Sequence, residues 1–187
     1  MKDDAQQNLE GYIFLGIFAA CIPAANWLIG NVGTYCAPNG PCLIPVAPGL
    51  SAPSGVLMIG LALVVRDLVQ RRLGLAWAVA AILAGAALSA FFAPPQLVAA
   101  SAAAFLLSEF ADLAVYTPLQ RRRLILAVFA SSLVGLVIDS IVFLYLAFGS
   151  LDYLWGQIVG KAWMVLAALP VIRWLKHRDE RLHLVAG

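Results

Sequence analysis

Long apolar runs, broken by short polar punctuation, organise the chain from end to end. Runs at about 11–29, 54–70, 75–93, 97–119, 124–148 and 152–174 each approach the roughly twenty residues a helix needs to cross the hydrocarbon core. Between them lie turn signals: Arg71-Arg72-Leu73-Gly74, Pro94-Pro95, Arg121-Arg122-Arg123 and Gly149-Ser150-Leu151-Asp152. The pattern predicts an all-α bundle of about six transmembrane helices forming a single transmembrane domain over 1–187. A loop over 30–53 separates the first two runs, and a polar tail covers 175–187. Within that loop, Leu43 to Ala52 is apolar enough to predict a re-entrant or interfacial segment, although Pro45 and Pro48 oppose a regular helix. The third run is dense in alanine, with Gly85 and Ser89 at the small-xxx-small spacing that lets helix backbones approach closely in lipid.

Composition agrees with this pattern. Hydrophobic residues make up 63% of the 187 positions and charged residues 12%, with a mean hydropathy of +0.90, far from the quarter-charged composition of soluble domains. The formal charge of +2 is too small to argue for nucleic acid as a partner; the partners expected are a lipid bilayer and a small molecule, with a homo-oligomer left open. The mixed-charge start Lys2-Asp3-Asp4 predicts that the first apolar run is retained rather than cleaved. Placement of the basic residues gives the topology. Lys2, then Arg66, Arg71 and Arg72, then Arg121 to Arg123, then Arg173, Lys176, Arg178 and Arg181 all fall on one side if the span count is even. The loops on the other side carry no Lys or Arg, so the positive-inside rule predicts a multi-pass membrane protein with both termini cytoplasmic. On that topology Cys36 and Cys42 share an outer loop where a disulfide and two free thiols are equally compatible with the sequence.

Charged residues inside the apolar runs are expensive, about 2.5 to 3.5 kcal/mol each at mid-bilayer, and therefore mark a site. These are Glu109, Asp112, Asp139 and Lys161. A rise of about 1.5 Å per residue sets Asp139 and Lys161 roughly 14 Å from the outer ends of their spans, and Glu109 and Asp112 roughly 18 and 22 Å in, which predicts one polar layer near the midplane. Phe105, Glu109, Asp112 and Tyr116 fall on one helical stripe, as do Ser132, Gly135, Asp139 and Phe143, while Gln157 lies one turn from Lys161. Three carboxylates then face one ammonium. The plainer alternative is a structural Asp139–Lys161 ion pair with Glu109 and Asp112 protonated or bonded locally. Asp67 sits beside Arg66 near the cytoplasmic boundary, where a solvated or snorkelling charge needs no function. Asn26 reads as a helix cap before a ligand contact. Both histidines, His177 and His183, lie in the tail, which leaves no intramembrane metal cluster or Ser-His pair, and no phosphate-binding loop is present. The expectation is a transporter or binding protein, not an enzyme, with no cofactor.

The stretch ASAAAFLLSEFADLAVY, from Ala100 to Tyr116, resembles the signature of the queuosine precursor transporter family, also called vitamin uptake transporters. Arg66-Asp67-Leu68-Val69 with Arg72-Leu73-Gly74, the segment Ser131 to Gly149, and Lys161 followed by Pro170 agree with it in order and spacing. The resemblance implies a six-helix inner-membrane importer of 7-cyano-7-deazaguanine and 7-aminomethyl-7-deazaguanine, similar in fold to substrate-binding subunits of energy-coupling-factor transporters. Carried over position by position, it implies Asn26, Asp67, Glu109, Asp112, Asp139 and Lys161 as substrate-binding candidates. The Cys36 to Cys42 loop departs from the family pattern. A deazaguanine presents a ring N–H and an exocyclic amine side by side, which one carboxylate can accept together; Glu109 or Asp112 is the expected anchor. Lys161 or Gln157 would supply a donor to the base carbonyl, and Phe105, Tyr116, Phe143 and Trp163 are the expected aromatic walls. Two other functions are left open: a substrate-binding subunit that works only with a separate energising partner, and a non-transporting structural or enzymatic membrane protein.

Overall fold

The computed structural model describes residues 2–38 and 40–181; His183, with the rest of the tail from 182 onward, lies outside the described residues. Six α-helices are present: α1 Lys2–Asn31, α2 Val56–Leu73, α3 Leu75–Phe92, α4 Val98–Leu119, α5 Leu124–Phe148 and α6 Leu154–Arg181. Five of them are long and apolar enough to cross a membrane. The exception is α2, whose 18 residues include Arg66, Asp67, Arg71 and Arg72. The other helices shield it. It packs against α1, α3, α4, α5 and α6, and 13 of its residues are buried. A short 3-10 turn, Pro95–Leu97, carries the chain from α3 into α4, and Gly149 in the left-handed region ends α5 by donating its N–H to the Tyr145 carbonyl.

The predicted re-entrant segment is instead a small antiparallel sheet of three strands, β1 Tyr35–Cys36, β2 Cys42–Ala47 and β3 Leu50–Pro53, in the order β1-β2-β3. Pro45 sits at a bulge between β2 and β3, and Gly49 in the left-handed region makes the tight reversal, so the prolines that oppose a helix are tolerated in a hairpin. Cys36 and Cys42 are directly paired across β1 and β2 and form a disulfide. The sheet closes one end of the bundle. Its Val46 meets Gly160 of α6, and Trp163 Nε1 donates to the Val46 carbonyl at 2.9 Å. Trp163 therefore faces outward, 54% exposed, and is not an aromatic wall of the interior.

Two apolar clusters flank α2. Phe18, Ile22, Ala62, Val65, Ile82 and Phe105 join α1, α2, α3 and α4; Leu63, Val64, Tyr116, Leu136, Val165 and Ile172 join α2, α4, α5 and α6. Small residues set the closest crossings. A Cβ on Gly60 would lie 2.7 Å from the Lys161 carbonyl oxygen, so α2 and α6 meet backbone to backbone where Lys161 enters the interior. Large apolar side chains cover the outside, with aromatic residues at both rims: Trp27, Phe91, Tyr145 and Trp155 at the sheet end, Tyr12, Trp77 and Trp174 at the other. Such belts mark the two interfaces of a bilayer, and the molecule is built as a multi-pass membrane protein.

At the end opposite the sheet, α1, α2 and α6 are tied by ion pairs. Asp179, 2% exposed, accepts from Arg72 at 2.8 and 2.9 Å and from Arg71 at 2.7 and 3.1 Å. Glu10 accepts from Arg72 at 2.9 Å and from Arg178 at 2.5 Å. Contact between the start of α1 and the end of α6 puts both helix ends on the same side of the bundle, as an even number of helices requires.

Candidate functional site: a polar cavity above a buried charge cluster

The intramembrane charges form two groups rather than one layer. In the first, Lys161 of α6 donates to Asp139 Oδ2 of α5 at 2.6 Å, to Ser140 Oγ at 2.8 Å and to Gln157 Oε1 at 2.7 Å. All three ammonium protons are thereby used. The pairing arises because Asp139 and Ser140 follow one another on α5 while Gln157 stands one turn before Lys161 on α6.

This group lines a cavity between α1, α2, α3, α4, α5 and α6 near the sheet end of the bundle. Cavity and mouth together enclose about 590 Å³, the open solvent at the mouth included. Asn26, Phe105, Asp139, Phe143, Gln157 and Lys161 all border it, together with Ser89, which the sequence marks only as a packing position, and Ser101. Ile22, Ile29, Val56 and Ile59 supply much of the apolar wall. Asn26 donates to the Ile22 carbonyl at 2.9 Å within its own helix, which leaves its side-chain oxygen for the cavity. Gly85 makes room for Phe105: a Cβ there would sit 2.6 Å from the ring. A second hollow, bordered by Gly40, Pro41, Pro94, Gln96 and Phe148, shares Ile29 and Leu97 with the first and forms a vestibule beside the sheet.

The second group lies deeper and is closed to the cavity. Its centre is Arg66, which is fully buried rather than snorkelling at a boundary. Its Nε donates to Glu109 Oε2 at 2.9 Å, its Nη2 to Asp112 Oδ1, and its Nη1 lies 2.8 Å from Asp67 Oδ1. Ser131 of α5 donates to Asp67 Oδ2 at 3.0 Å, and Gln70 donates to the Thr117 hydroxyl at 3.0 Å. The Tyr116 ring lies under the guanidinium, 6.0 Å from its carbon, and borders no part of the cavity. The interior thus holds four carboxylates and two cations, not three against one. The helical rise already contained the signal for Arg66, since ten residues from the start of α2 is roughly 15 Å, mid-bilayer depth.

Six of the ten residues expected to bind a substrate therefore meet at one cavity. Asp67, Glu109, Asp112 and Tyr116 belong to the Arg66 cluster instead, so neither expected carboxylate anchor is presented to the cavity; Asp139 is.

Residues 89–175 match the family described as "Putative vitamin uptake transporter". The match takes in α4, α5 and most of α6, just under half of the chain, and with them Phe105, Glu109, Asp112, Tyr116, Asp139, Phe143, Gln157 and Lys161. Arg66 and Asp67 on α2 and Asn26 on α1 lie outside the matched stretch. No curated protein and no solved structure matches the chain.

Proposed function

We propose that this protein imports a flat, neutral heteroaromatic base across the inner membrane, with 7-cyano-7-deazaguanine as the substrate that fits best. The reading rests above all on the polar equipment of the cavity. Asp139 keeps Oδ1 free to accept from a ring N–H, the Asn26 oxygen offers a second acceptor for an adjacent amine, and the Gln157 amide, which makes no donor bond among the described residues, is available to a base carbonyl. Phe105 and Phe143 supply aromatic surface for the ring. The similarity to vitamin uptake transporters over 89–175 supports transport as the activity.

Charge favours the cyano over the aminomethyl base. Asp139 and Lys161 neutralise one another, and the surplus carboxylates are held by Arg66 away from the cavity, so an ammonium substituent would enter without a counter-charge. On this reading the basic end is cytoplasmic, substrate enters past the sheet and the vestibule, and the ion pairs of Glu10 and Asp179 close the inner side. The test is uptake of 7-cyano-7-deazaguanine by proteoliposomes containing the purified chain alone. Saturable uptake inhibited by excess unlabelled base supports the importer. Binding without uptake points to a substrate-binding subunit that needs an energising partner. Absence of both, with uptake of a vitamin from a wider panel, replaces the substrate.

A further inference from the structure

We propose that Asp67 and Asp112 form a proton-binding site, with one proton held between their carboxyl groups beside Arg66, and that its loading drives the import described above. The proton site rests on the cluster's own geometry; only the coupling rests on the proposed function. Asp67, Glu109 and Asp112 bring three negative charges to one guanidinium, and all four side chains are at most 2% exposed. Fully ionised, the group would hold two uncompensated charges in the interior of a membrane protein. Asp67 and Asp112 are gathered on one guanidinium, Asp67 Oδ1 lying 2.8 Å from Arg66 Nη1 and Asp112 Oδ1 accepting from Arg66 Nη2. Yet Asp67 Oδ1 and Asp112 Oδ2 are buried with no hydrogen-bond donor among the described residues, although the former lies 2.8 Å from Arg66 Nη1. Two buried carboxylates gathered on one cation repel one another unless one of them carries a proton.

The Tyr116 hydroxyl, fully buried and also unpartnered, lies among the same charges, with Asp67, Arg66 and Asp112 near it. Arg66 of α2 and Ser131 of α5 bear on the pair directly; around them stand Glu109 and Tyr116 from α4, with Arg71 of α2 near Tyr116 and Asp139 of α5, paired with Lys161 of α6, near Glu109, while α1 contributes Cys21 to the interior and α3 no titratable side chain. Glu109 shares Arg66 with the pair and lies within the field of Asp139, which borders the cavity. Ser131, which donates to Asp67, stands on the same helix as Asp139, so a shift of α5 would move both sites together.

Infrared spectroscopy of the protein in lipid reads the proton directly, as the C=O stretch of a protonated carboxyl. The expected band titrates with pH, is lost in both Asp67→Asn and Asp112→Asn, and persists in Glu109→Gln. Absence of the band throughout the pH range of the folded protein, or its survival in both aspartate variants, overturns the site. Should either aspartate variant fail to fold, Ser131→Ala decides: a moved midpoint supports the site and an unmoved one overturns it. For coupling, an inward proton gradient should raise 7-cyano-7-deazaguanine uptake into proteoliposomes several-fold, with the ratio falling to one in Asp112→Asn; wild-type uptake indifferent to the gradient overturns the coupling. A titrating band with no uptake of that base overturns the import reading and leaves the proton site standing.

Discussion

Arg66 holds three carboxylates on one guanidinium, and no other side chain could do so, because the planar fork donates in several fixed directions while an ammonium acts as a compact point charge. Removing it strands buried charge. Arg66→Gln should lower stability by about 3 kcal/mol or more, read as a reduced thermal midpoint in detergent, with Arg66→Lys in between. Gly85 acts differently. Its Cβ would press on the Phe105 ring, so Gly85→Ala should cost about 1–3 kcal/mol and displace that ring, weakening base binding while the fold survives. At this scale the sequence was only partly legible. Glu109, Asp112, Asp139 and Lys161 stand out in apolar runs, because an ionisable group is conspicuous there. What no spacing rule conveys is that Arg66 reaches Glu109 and Asp112, 43 and 46 positions further along the chain, and so separates them from Lys161.

Among the elements, the helices follow from apolar run length, and the ends of α3, α4 and α5 fall within a residue of the expected limits. The sheet does not. Its strands are short, carry two prolines and alternate poorly, so their hairpin depends on the Gly49 reversal and on seating against Gly156 and Gly160 of α6. The disulfide closes a loop of few residues, and chain entropy assigns it about 2 kcal/mol. Cys36→Ser with Cys42→Ser, or reductant alone, should therefore lower the thermal midpoint by matching amounts. The ties at the opposite end work by charge. Asp179→Asn leaves Arg71 and Arg72 without their shared acceptor and should loosen α6 from α2, seen as faster hydrogen exchange over the last turns of α6.

For the whole molecule, α2 explains why charge can sit at the centre of so apolar a chain. Five apolar helices surround a sixth whose polar groups face inward, so lipid meets hydrocarbon and aromatic belts while Arg66 and Lys161 meet carboxylates. The two charge groups give that interior a division of labour. The neutral Asp139–Lys161 pair, open to the cavity, suits recognition, and the closed Arg66 cluster suits storage of charge. The most direct test of this account is calorimetric binding of 7-cyano-7-deazaguanine to wild type and Asp139→Asn. Loss of a charged acceptor should weaken affinity about 10- to 100-fold. Undiminished affinity in Asp139→Asn, with binding abolished instead by Glu109→Gln, would contradict the assignment of the cavity as the substrate site.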